Sequence, residues 1–336
     1  MWELVNRTRF SADRTWVQDK DGVKHWVVAV RATFDIAADG SCSVAAEQSP
    51  PLLLPKYRGE DGKSSLEYEA DMIPTKPGTD VYVNGHAVAA NGSPTSRATV
   101  GLRVGGRMKV LEVIGDRKYE RDLAGQVVAS SPLPFVKVPL VYERAFGGFD
   151  AEEPDPARQQ IFAPNPVGTG VATSRGRLIG KPVANIEFPG AAPGSKGAAG
   201  FGAVCSYWTP RINYGGTYDA KWLTDRKPLL PVDFDPRFFL CAPADQQFIP
   251  HLRGGERIEV AGMSPSGALT FDLPRVALGF ETIIDGKSKH TRGDLQTVIV
   301  EPDHPRVVMV WQTMLRCHHE MDFLDRTIIR QKEILG

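Results

Sequence analysis

Residues His25–Ile36 read HWVVAVRATFDI. Trp26, Val28, Val30, Ala32, Phe34 and Ile36 occupy alternate positions, with Val27, Ala29, Arg31, Thr33 and Asp35 between them. A helix would group its apolar residues three and four apart, whereas this run has period two. It predicts a strand with one face buried against a core. Asp39-Gly40 follows as a turn, and SCSVAAE, residues 41–47, can return as the partner strand.

The same punctuation continues outward along the chain. Val81–Val83 and His86–Val88 flank Asn84-Gly85, a strong short hairpin signal. ATVGLRV, RMKVLEVIG, RKYERDL and VVASSPLPFVKVPLVYERAF follow as short alternating runs, with prolines that suit edges and bends. Strands resume at RIEVAGM, GALTFDLP, RVALGFETIID, LQTVIVEP and RVVMVWQTMLRC. YDAKWLTD suits a short helix, and RTIIRQKEIL suits a strand in this β-rich setting. The chain has 33 glycines and 26 prolines, which mark many turns and therefore many short elements.

These patterns predict a mainly β fold: antiparallel sheets in a sandwich-like arrangement, with a long irregular Gly/Pro-rich middle segment and little helix. Residues 1–146 form an N-terminal strand-rich region, 147–225 the irregular segment packed on the sheets, and 226–336 a C-terminal strand-rich region. Within the middle segment Ile161, Phe162, Ile186, Phe188, Phe201, Tyr207 and Trp208 need burial, and GAAPGSKGAAG reads as its flexible tip.

Charge and composition narrow the function classes. Lys and Arg total 40, as do Asp and Glu, so no global field is available to hold nucleic acid or an acidic membrane. MWELVNRTRF lacks the apolar run of a secretory signal, and no stretch approaches a membrane-spanning helix. Cys42, Cys205, Cys241 and Cys317 are widely spaced, as expected for thiols in a reducing compartment. The expectation is a cytoplasmic protein without membrane insertion.

Chemical motifs are sparse. CHHE, residues 317–320, collects four potential metal ligands, but neighbours on a strand face opposite ways and the spacing is not that of a zinc helix. It reads as a polar strand end, and neither a metal nor a cofactor is expected. No G-x-S-x-G elbow is present, and the GTG and GGRMK strings match no phosphate loop. Glu67, Glu69 and Asp71 are spaced two apart, with Asp80 nearby. Such carboxylates could flank a glycosidic bond, or could bond turn amides and solvent. Aromatic residues beside arginines, as in Tyr142–Phe146 and Tyr207–Arg211, could anchor a protein partner or be core residues next to surface charges.

Longer strings carry more. YEADMIPTKPGTDVYVNGHA, from Tyr68, is followed in order by PFVKVPLVYERAFGG, NPVGTG, NIEFPG, AGFG, WTPR, GGTYDAKW, LLPVDFDPRFF, APADQQ and HLRGGERIEVAGMSPSGALTFDLP. In these strings the chain resembles the bacterial family known as domain of unknown function 2169, from about Trp26 to beyond Pro274. The resemblance implies a non-enzymatic adaptor or chaperone of a type VI secretion system. Such a protein binds an effector, often one with a PAAR-type tip domain, and helps load it onto the VgrG spike. On that reading Tyr142, Arg144, Phe146, Trp208, Arg211 and Trp222 are candidate partner-binding anchors, and exposed strand edges could pair with a partner strand. Asp71, Lys76, Gly78 and Asp80 are candidate organisers of their loop. The alternatives are a cell-wall glycoside hydrolase using Glu69, Asp71 or Asp80, and a structural spike component.

Overall fold

The computed structural model describes residues 2–317 and 320–332. Among these the chain is mainly β, with short 3-10 turns and one α-helix, Ala220–Asp225. That helix starts where expected, because the Asp219 carboxylate accepts from the Trp222 N–H at 2.8 Å and caps its first turn.

Lys24–Ile36 lies within the largest sheet. It pairs antiparallel with Ser11–Gln18 on one side and Arg306–Arg316 on the other. Asp294–Glu301, Thr79–Val83 and Gln247–Phe248 continue the sheet outward. The Asp39-Gly40 turn forms, and Cys42–Val44 returns against the end of Lys24–Ile36. Gly40 takes a φ of +83°, and a Cβ there would meet the Thr270 carbonyl at 2.4 Å, so both conformation and space require glycine.

Two smaller sheets accompany it. One runs Ile186–Glu187, Arg107–Ile114, Arg97–Val104, Arg257–Ala261, Ala268–Asp272. The other runs Glu3–Asn6, Leu324–Lys332, Ala277–Ile284, Lys287–Arg292. RTIIRQKEIL is thus a strand as far as Lys332, and Glu333–Leu335 lie outside the described residues. Most pairs are antiparallel, but Thr79–Val83 runs parallel to Asp294–Glu301, and Glu3–Asn6 parallel to Leu324–Lys332. The large sheet therefore takes strands from both the 1–146 and 226–336 regions.

Alternation along the strands fixes the layers. Val28, Val30, Val81, Val298 and Met309 of the large sheet share a core with Leu102, Leu111 and Phe271 of the five-stranded sheet and Leu278, Phe280 and Ile329 of the four-stranded one. On the opposite face Tyr82, Ile299 and Val308 pack with Leu66, Tyr142, Cys205, Trp208 and Cys241. Each such apolar side chain contributes roughly 1.5–3 kcal/mol on burial.

Two readings of the strands need correction. The expectation of a single buried face for His25–Ile36 fails: Val27, Ala29, Arg31 and Thr33 are buried too. On that face Gln48 bonds the Thr33 backbone on both sides and Arg31 reaches Asp71. The Asn84-Gly85 hairpin does not form either. Neither residue adopts the positive φ that the tight hairpin turn demands. Asn84 is held instead by Val300 through its backbone and by Arg58 and Glu67 through its side chain. The chain accordingly leaves the large sheet, and His86–Val88 pairs with Lys137–Pro139.

The middle segment runs mostly through turns and short bridges. Ile186, Phe201 and Trp208 are buried, and Phe162 and Phe188 are half-buried. Ile161 and Tyr207 remain exposed, contrary to expectation: Ile161 lies in an isolated bridge to Phe149 and Tyr207 in a turn, both at the surface. No helix among the described residues is long and apolar enough to cross a membrane.

Candidate functional site

The segment from Tyr68 to Thr79 lies over the second face of the large sheet and crosses to its start at Asp80. Three buried ion pairs hold it. Asp71 Oδ2 accepts from Arg31 Nη1 at 2.6 Å and from the Leu52 N–H at 2.9 Å. Glu69 receives Arg211 Nη1, whose guanidinium also donates to the Phe238 and Val204 carbonyls at 2.7 and 2.8 Å. Lys76 Nζ donates to Asp80 Oδ2 at 2.7 Å and to Thr297 Oγ1 at 2.9 Å.

Asp80 sits at the centre of this lattice and is fully buried. It accepts from the Cys241 and Ala242 N–H groups at 2.9 and 3.0 Å, tying the loop after Phe239 to the sheet. Burial alone would lower the Lys76 ammonium, but Asp80 beside it more than reverses this and holds it above the usual lysine range. Arg31 and Arg211 follow the same pattern, with Asp71 and Glu69 offsetting burial. Burial, aided by Asp80, pushes the Cys241 thiol well above the ordinary range, and burial raises Cys205 to about 11. Neither thiol is a ready nucleophile.

Gly78 completes the loop. An added Cβ would stand 2.4 Å from the Phe248 carbonyl and 2.6 Å from Ile249 Cγ1. Asp71, Lys76, Gly78 and Asp80 thus have positions and contacts suited to holding the loop. The lattice binds chain to chain. Its carboxylates are already occupied by cations and amides.

The six candidate anchors divide. Tyr142, Trp208 and Arg211 are interior: Tyr142 donates its hydroxyl to the Gly202 carbonyl at 3.0 Å and meets the Trp208 ring edge-on at 5.3 Å. They fill the second core because aromatic rings and a paired guanidinium complete that layer, so they are not surface anchors. Arg144, Phe146 and Trp222 are half-buried. Arg144 reaches Asp116 at 2.8 Å and lines a cavity of about 540 Å³ with Lys118, Leu133, Thr169 and Asn185. Phe146 stacks edge-on with Phe162 at 5.2 Å. Trp222 donates to the Leu229 carbonyl at 2.8 Å and packs on Tyr218, beside exposed Leu223. The anchors therefore do not make one continuous cluster.

The sequence family described as "Uncharacterized protein conserved in bacteria (DUF2169)" matches residues 21–312, most of the chain. The chain belongs to this family. Neither a curated protein nor a solved structure matches it. For a DUF2169 chain the buried lattice also shows which contributors sequence reading missed. The period-two pattern places Arg31 on the face away from the core, where only Val27 and Ala29 hint at cover. Cys241 and Thr297 carry no local signal at all, since only the fold brings them to Lys76. Of the CHHE string, His318 and His319 lie outside the described residues, and no metal-binding cluster occurs among the described ones.

Proposed function

We propose that this chain is a non-catalytic, cytoplasmic adaptor that holds an effector of a bacterial type VI secretion system and helps load it onto the VgrG spike through a PAAR-type tip. The observation that carries this reading is the family match over residues 21–312, joined to the type VI association that the family resemblance implies. The geometry agrees with a binding role, since Glu69, Asp71 and Asp80 are spent on internal ion pairs. A hydrolase built on those three carboxylates has no supporting observation.

A stable complex needs roughly 800 Å² buried on each partner. Arg144, Phe146 and Trp222 remain available as side chains near the surface. The test is co-expression with a neighbouring-gene effector carrying a PAAR-type domain, followed by size-exclusion chromatography. Co-elution that Phe146→Ala or Trp222→Ala weakens, with circular dichroism showing both variants folded, is the expected result. Separate elution from every candidate effector and from VgrG overturns the reading.

A further inference from the structure

The outer face of the four-stranded sheet carries an arrangement of charge that the fold does not need. Gly279, in Ala277–Ile284, stands opposite Arg292 on one side and Arg330 on the other. Directly opposed residues bring their side chains within about 5 Å. Lys332, one alternation beyond Arg330, lies over the glycine: a Cβ on Gly279 would meet its Cε at 2.6 Å. Arg330 is paired with Glu281 at 2.5 Å. Arg292 and Lys332 have no carboxylate partner among the described residues, and neither does Arg253 on the adjoining loop.

These three cations line one open cleft of about 630 Å³, whose lining includes residues of both this sheet and the large one. Its walls include Leu252, Val276 and Trp311, and Asp294 is its one carboxylate among the described residues. Like charges that share one cleft repel, and an anion between them relieves that repulsion.

The cleft opens beside an unpaired strand edge. Lys287–Arg292 pairs with Ala277–Ile284 and with no other strand among the described residues. Asp285 and Gly286 have φ of +48° and +70°, a two-residue turn closed by Ile284 and Lys287. Hydrogen-bonded pairs then alternate from that closing pair, so Ser288, His290 and Arg292 direct their N–H and C=O groups to the open side. Their side chains are exposed, and the strand reads KSKHTR.

We infer that this edge and cleft take an extended acidic segment of a protein partner, which adds as a strand along Ser288–Arg292 and places carboxylates on Arg253, Arg292 and Lys332. The inference rests on the adaptor reading and names the chemistry of its contact. A small anion would use the cleft alone, whereas the open edge alongside it suits a main chain.

Fluorescence anisotropy with a dye-labelled alternating Glu/Thr/Val peptide tests it. The peptide binds, its Lys-for-Glu counterpart does not, and salt weakens the binding. Arg292→Glu with Lys332→Glu weakens it roughly tenfold or more. His290→Pro removes one outward N–H without touching the internal ladder and also weakens it. Arg253→Glu, on the loop, repeats the charge test outside the sheet, and circular dichroism confirms that each variant is folded. Equal binding by the folded charge-reversed variants, no binding of the acidic peptide, or displacement by inorganic phosphate at equal concentration overturns the inference. An effector that still co-elutes with the charge-reversed variants overturns it too, while leaving the adaptor reading intact.

Discussion

Asp80, a carboxylate that could serve catalysis in sequence, becomes part of the interior together with Lys76. Each is buried, and their attraction, with the Cys241 and Ala242 amides, offsets the loss of water. Removing one partner leaves the other charge uncompensated. Lys76→Met is expected to destabilise the protein by about 3–5 kcal/mol, read as a lower urea midpoint, and adding Asp80→Asn recovers part of the loss. The thiols give a second residue-level prediction. Cys42 is half-buried, while Cys205, Cys241 and Cys317 are buried. A thiol reagent labels Cys42 first on the native protein, and reaches the other three at the rate of unfolding. Fast native labelling of Cys241 would contradict the burial that raises its thiol.

At the scale of elements, the loop from Asp150 to Arg177 is held at two points. Asp150 Oδ2 accepts from the Thr173 N–H at 2.7 Å and from Arg177 Nη1 at 3.0 Å, and Glu153 Oε2 accepts from the same Arg177 nitrogen at 2.9 Å. The Thr173 bonds and then Arg177 hold the Asp150 carboxyl well below the usual carboxylate range. A depressed carboxyl stabilises the fold above its unfolded value, about 3.9, and that contribution is lost as pH falls through the lower folded value. Protection of 150–177 against hydrogen exchange, taken relative to the intrinsic rate at each pH, is therefore expected to fall on acidification from about pH 4 downward, and Asp150→Asn to lower it already at neutral pH. Elements also mark what was legible in sequence. Lys24–Ile36 and the helix at Ala220 were legible because side-chain period and an N-cap are local. The fate of Asn84-Gly85 was not, because Val300, Arg58 and Glu67 decide it from elsewhere in the chain. The ion pairs were half legible: their acids stood out in the Tyr68–Asp80 run, but Arg31 and Arg211 come from other parts of the fold.

Across the whole molecule, the two ends of the chain lie side by side, with Glu3–Asn6 paired along Leu324–Lys332. Trp2 sits at this seam, stacked edge-on against Trp16 at 5.7 Å, and Trp16 against Trp26 at 4.9 Å. Deleting residues 2–7 bares an inner edge of the four-stranded sheet, so the truncated protein is expected to melt lower and to self-associate, measurable by light scattering. The parallel partnership of Thr79–Val83 with Asp294–Glu301 has a consequence in time. A ribosome will have released the first of these strands long before the second exists. Until then the half-made layer holds bare ladder groups and unburied valines, and closure waits on a large loop. The nascent protein is committed to slow, late completion, and in that interval its bare edges and valines are open to misassociation.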